Sequence, residues 1–356
     1  MKNKEDIKEI VDHLQTAEEA TLVCDADAIA AACQRNSAAQ SLAIKILSVF
    51  GGSLASCAFV GFLLLAGLYD SEAGMLITGC VFLAASVWAN RKFDKTIIDT
   101  VSISFFIVAF IMLFLGFNQL AGNNNMICIL FIIIACASLI IAQTYILSFV
   151  SSLIINGSIL MLILFNNYYE LIHMYVSALA LLLCFLYLKE AKIITAHKAL
   201  SKIYSPIRAG ATLSFLAGLT FLGKKGIFPV SPDYILLSSV IIISAIMYLL
   251  YTLFEVLNIT NIQHKTVIYV FAALTLLPTV FSPAISGAIL LILLGFSVNY
   301  KAGFILGIIA CIYFISQYYY DLDFTLLTKS LLLFSSGVFF ILLYFFTRKR
   351  TTHEKI

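Results

Sequence analysis

The chain has 356 residues, of which 62% are hydrophobic and only 12% charged, with a formal net charge of +3 and a mean hydropathy of +1.01. A soluble domain carries about a quarter charged residues, so a chain this apolar cannot cover itself with polar surface. Its apolar residues come in blocks near the ~20 residues that a helix needs to cross hydrocarbon and do not alternate as barrel strands would, which points to an all-α, polytopic integral membrane bundle.

Residues 1–40 form a hydrophilic tail. Ile7, Ile10, Val11 and Leu14 recur at helical spacing, with Lys4, Glu5, Lys8, Glu9 and Asp12 on the other faces. A second short helix is expected from about Asp25 through Ala28, Ile29, Ala32 and Cys33. The tail holds eight acids against four Lys/Arg, a poor match to anionic lipid. It reads as a helical pair against the cytosolic side of its own bundle, or as a docking site for a protein partner. The first apolar run starts near Leu42, behind thirteen charged or His side chains, unlike a cleaved signal peptide.

The apolar blocks predict about twelve spans: 42–68, 73–89, 97–121, 126–141, 145–166, 168–188, 206–223, 235–257, 267–282, 284–298, 303–320 and 325–346. The long run over 126–165 is split at Gln143-Thr144, and Ser282-Pro283 is read as a tight turn. Lys189, Lys192, Lys198 and Lys202 alternate with Ile193, Ile194, Leu200 and Ile203, which predicts a basic amphipathic segment held by anionic headgroups. The organisation is therefore a tail at 1–40, a six-helix half at 41–188, the basic segment at 189–205, a second six-helix half at 206–346 and a basic tail at 347–356. With the N-terminus in the cytosol, the cytosolic loops and C-terminal tail hold fourteen Lys/Arg and the opposite loops only Lys224 and Lys225. That is a strong positive-inside bias, which expects both termini in the cytosol.

Ionisable residues within spans are candidates for function. Lys45, Asp99, Glu255 and Lys329 qualify, each about one turn from a helix end. Asn156-Gly157-Ser158, halfway along the fifth helix, reads either as a broken helix lining a cavity or as small-residue packing. Gly303 and Gly307 fit close helix contact. The outer face gathers Tyr318, Tyr320, Asp321, Asp323 and Lys329, with Glu170 and His173 as further candidates. These suit a cation or polar headgroup, or else an aromatic belt with Asp323 capping the last helix. The eight cysteines show no CxxC pair and read as apolar filler. No catalytic motif, cofactor or metal site is expected. The bilayer is the expected partner, nucleic acid is not, and the oligomeric state is left open.

Leu294-Gly295-Phe296, Asn299, Gly303 and Gly307, then Tyr318-Tyr319-Tyr320-x-Leu322-Asp323-x-Thr325-Leu326-Leu327-x-Lys329-Ser330 and Gly337 form one pattern. It resembles the C-terminal half of a family of polytopic membrane proteins, domain of unknown function 4401. The segment Phe93 to Asp99 fits it more loosely, and the resemblance spans residues from about 40 onward. It implies a bacterial inner-membrane protein and assigns no activity or functional residue. Three functions follow as expectations: a permease for a small or amphipathic solute, a non-catalytic partner or sensor, or a lipid-directed enzyme using the outer acids.

Overall fold

The computed structural model describes residues 42–92, 96–142, 144–224, 226, 234–257, 261–322, 325–331 and 334, 335, 337, 338 and 341. The N-terminal tail and the basic C-terminal tail lie outside the described residues. The described chain is helical throughout. In order it forms α1 Leu42–Leu65, α2 Glu72–Lys92, α3 Thr96–Ala121, α4 Asn124–Ala142, α5 Tyr145–Phe165 and α6 Leu171–Leu188. There follow α7 Glu190–Ala196, α8 Lys198–Gly223, α9 Ile235–Val256, α10 Ile262–Leu276, α11 Pro283–Ser297 and α12 Lys301–Asp321. A helical segment resumes at 326–331. Among the described residues eight helices are long and apolar enough to cross a membrane, and Leu54–Leu63 and Pro283–Ser297 are shorter apolar segments. Large side chains such as Ile140, Phe296 and Ile312 stand exposed on these helices. Such surface is stable only against lipid, and the protein is an integral membrane helix bundle.

Most helix limits fall within a few residues of those expected, and the departures have local causes. Residue 206, expected to open a span, is a proline inside α8. His197 is extended and its side chain accepts from the Ala199 amide, so it caps the helix two turns earlier than the proline suggests. The basic segment is thus split between the short α7 and the first turns of α8. Helix α10 starts at Ile262 rather than at 267, because the Asn261 side chain accepts from the Gln263 amide. The Ser282-Pro283 turn is present, between a 3₁₀ turn at Leu277–Phe281 and α11.

Packing groups the described chain into two units, one up to Ala121 and one from Gly122. In the first, α1 and α2 both pack on α3. Gly79 lies against Leu113 and the Ala109 carbonyl, and Gly116 against Leu76. Serine hydroxyls join the helices: Ser86 donates to the Ser102 carbonyl at 2.6 Å and Ser56 to that of Ser104 at 3.2 Å. In hydrocarbon, van der Waals contact and such bonds replace the hydrophobic effect between helices.

The second unit is built around α8, which packs on α5, α6, α7, α11 and α12. Small residues along α8 admit its neighbours in turn. Gly210 meets Ser152 of α5, Gly218 meets Tyr175 and Val176 of α6, and Gly223 meets Ala284 of α11 and Phe314 of α12. Phe215 and Leu219 of α8 fill the space above Gly287 of α11. Helices α11 and α12 form a close hairpin, as the expectation for Gly303 and Gly307 requires: Gly307 abuts Ile292, and Gly295 abuts the Phe304 backbone.

A Cβ at Gly295 would lie 2.5 Å from the Phe304 nitrogen, whereas one at Gly157 meets nothing within 4 Å. Gly295→Ala is expected to lower stability by about 1–3 kcal/mol, the usual cost of overpacking. Gly157→Ala is expected to be neutral or to gain up to about 1 kcal/mol from helix propensity. Unfolding of both variants in detergent checks the contrast.

Candidate functional site

A dense polar arrangement among the described residues of the second unit surrounds Arg208, one turn past Tyr204 on α8. Its side chain is only 9% exposed. The guanidinium carbon lies 4.1 Å from the ring centre of Tyr300, 5.1 Å from that of Tyr204 and 5.3 Å from that of Tyr187. Nη1 donates to Glu190 Oε2 at 3.0 Å and to the Tyr204 hydroxyl at 3.4 Å. The Tyr204 hydroxyl in turn donates to the Leu186 carbonyl at 2.8 Å. The Thr212 hydroxyl donates to the Arg208 carbonyl at 2.8 Å, which leaves the Tyr187 hydroxyl as donor to Thr212 at 3.4 Å. Nε of Arg208 has no hydrogen-bond partner among the described residues.

The members come together from four elements, each for a local reason. Tyr187 ends α6, and Glu190 opens α7. Tyr300 is placed by the turn between α11 and α12. Asn299 is left-handed there (φ 53°), the Tyr300 amide bonds to the Gly295 carbonyl, and the Asn299 amide to that of Phe296. This is the Schellman ending, in which Asn is the usual substitute for Gly. The bare Gly303 then lets Tyr300 and the Tyr187 hydroxyl pass within 3 Å of where its Cβ would stand. Burial, and secondarily Tyr145, raises the Tyr300 pKa, while Arg208 opposes the rise. The phenol is neutral at physiological pH and offers Arg208 its π face.

Arginine cannot shed its charge, so the cage and Glu190 must compensate it where it is. The group contains no nucleophile beside a base. Its physical effect is to join the end of α6, the amphipathic α7, the hub α8 and the α11–α12 turn through one cation. A signal for it existed in the sequence: Arg208 is an ionisable residue inside an apolar block, with Tyr204 four residues before it on the same helical face.

The residues singled out from sequence sit elsewhere. His173 is buried on α6, with Nδ1 2.9 Å from the Ser238 hydroxyl of α9. Ser238 donates to the Ile235 carbonyl, so the ring nitrogen is the donor in that bond. Glu170 is exposed at the start of α6. Lys329 folds back over the Tyr319 ring and donates to the Tyr320 carbonyl at 3.4 Å. That carbonyl is one of the orphans at the end of α12, so this lysine caps a helix C-terminus. Tyr318 is partly exposed and Tyr320 fully so, and Asp321 accepts from Gln317 on its own helix. Asp323 lies outside the described residues; at the next helix start the Thr325 hydroxyl accepts from the Thr328 amide. Helix α5 is unbroken through Asn156, whose side chain donates to the Ser152 carbonyl at 2.8 Å. Glu255 is exposed near the end of α9. Lys45 and Asp99 fall on α1 and α3, with side chains outside the described ones.

Glu190→Ala strands the Arg208 charge among aromatic rings. Breaking a buried pair costs about 3–5 kcal/mol, and Glu190, at 28% exposed, places the loss at the lower end. The double variant Glu190→Ala/Arg208→Met is expected to be more stable than Glu190→Ala alone. Denaturant unfolding in micelles decides the order.

No curated protein and no solved structure matches the chain. A family model described as domain of unknown function (DUF4401) matches residues 41–350. The match takes in every helix above, including the cage and the α12 end, and the chain belongs to the DUF4401 family.

Proposed function

We propose that the protein is a non-catalytic membrane sensor of the bacterial inner membrane, with both termini in the cytosol. In this reading α7 lies at the cytosolic surface, and the bundle responds to what α7 meets there. The observation that carries it is the 3.0 Å Glu190–Arg208 pair inside the tyrosine cage. It ties a seven-residue interfacial helix directly to the hub of the second unit. Displacing α7 would uncover a buried cation, so the two arrangements of α7 differ in energy by enough to bias the bundle. The charge distribution, with Lys189, Lys192, Lys198 and Lys202 at this end, supports the cytosolic placement. Docking of a protein partner through residues 1–40 is compatible with the same role.

Hydrogen exchange in nanodiscs tests this. Raising the anionic lipid fraction is expected to slow exchange at 189–197 and, through Arg208, at the α11–α12 turn. Glu190→Ala is expected to keep the first response and lose the second. A turn that ignores lipid composition in the native protein, or responds equally in the variant, ends the reading.

One observation favours a permease as the second reading. The hydroxyls of Ser148 and Ser151 on α5, Ser177 on α6 and Ser239 on α9 are buried, with no hydrogen-bond partner among the described residues. Unsatisfied hydroxyls in a bundle core cost free energy and are the kind of lining a polar solute would satisfy. Ser151→Val and Ser239→Val are expected to reduce solute flux into proteoliposomes while leaving thermal stability equal or higher. Unchanged flux sinks the permease.

A further inference from the structure

Two apolar grooves flank the end of α6 and meet at Phe185 and Lys189. One, of about 370 Å³, runs between α6 and α9 and is lined by Leu181, Cys184, Val240, Ile241 and Tyr248 among others. The other, of about 460 Å³, runs between α6, α7 and α8 and is lined by Ile193, Ala196, Leu200, Ile203 and Ile207 among others. Both volumes fall within the ~300–1,000 Å³ of small-molecule sites. Lys189 borders both grooves, and Lys192 borders the second. Both lysines are exposed. Between Glu170 and Asp233 the only acid is Glu190, and its carboxylate is turned inward onto Arg208. Among the described residues no carboxylate pairs with either ammonium group, and Lys202 and His197 stand exposed on the same segment.

We propose that this site binds one anionic diacyl phospholipid. Lys189 and Lys192 hold the phosphate and anionic headgroup, and each groove takes one acyl chain, with the Phe185 ring between them. The charge selects against zwitterionic lipids, since basic pockets at helix ends attract anionic headgroups. The pairing of two grooves about one lysine selects a two-chain lipid over a single-chain one. The inference deepens the sensor reading by naming what α7 meets: Lys189 just before it and Lys192 within it bracket Glu190, so a bound headgroup would sit beside the carboxylate that pairs with Arg208.

The test uses the full chain, delipidated in detergent and titrated with phosphatidylglycerol, phosphatidylcholine and lysophosphatidylglycerol, with bound lipid counted by native mass spectrometry. Phosphatidylglycerol is expected to bind at least tenfold more tightly than phosphatidylcholine. Lys189→Gln and Lys192→Gln are each expected to lower that preference about fivefold, and these exposed positions leave folding unaffected. Ala196→Trp and Ser244→Trp, which fill one groove each, are expected to weaken the diacyl lipid while sparing the lysolipid. Equal binding of the two diacyl lipids, a preference that survives both lysine changes, or a lysolipid that binds as well as phosphatidylglycerol overturns the proposal. Selective binding without a response at the α11–α12 turn would overturn the sensor reading alone. A composition-dependent turn without selective binding would overturn the lipid site alone.

Discussion

A guanidinium that cannot be neutralised, enclosed by three phenol rings and one carboxylate, constrains the second unit. Arg208 is buried among Tyr187, Tyr204 and Tyr300, and it needs all of its compensation within reach. The carboxylate comes from α7, the best-placed ring from the α11–α12 turn, and the others from α6 and α8. Moving any one element exposes a desolvated charge. The cage therefore sets the mutual placement of four elements that apolar contact alone would leave free to slide, since lipid tails compete equally for apolar surface.

Helix α8 can serve as the hub because its sequence alternates contact chemistries along its length. Arg208 and Thr212 make the polar joint. Gly210 and Gly218 bring the α5 and α6 surfaces close, and Phe215 and Leu219 fill the space over α11. The proline within it does not end the helix, because the cap at His197 starts it earlier and the tertiary contacts on both sides hold it. The Lys-rich segment is consequently neither a free loop nor an independent helix. It is split between the short α7 and the start of α8, which brings Lys189 and Lys192 beside the two grooves at the end of α6.

The segment Tyr318–Ser330 has a different character in the structure from the one its density of polar groups suggests. Lys329 closes the C-terminal end of α12, Gln317 engages Asp321, and Thr325 caps the next helix start. Each of these three side chains answers a backbone group or a neighbour at a helix end. A family pattern can follow such requirements of helix ends as readily as those of chemistry, because orphan carbonyls and amides at the membrane boundary must be satisfied.

The sequence by itself determined the class and the succession of helices. Hydropathy blocks are a local property, and most apolar runs become helices with ends close to those expected. Glycine contact at Gly303 and Gly307 was legible for the same reason: a missing side chain over one helical turn has one dominant use in lipid. What only the tertiary structure decided is the meeting of residues far apart in the chain. Tyr187, Glu190, Arg208 and Tyr300 join because a left-handed Asn299 turns Tyr300 beneath Arg208 and because α7 doubles back beside α8. Arg208 stood in an apolar block but close to its edge, where a snorkelling cation and a caged one look alike in sequence. The grooves beside Lys189 are equally invisible there, since a groove is the gap between helices and depends on how closely each glycine lets its neighbour approach.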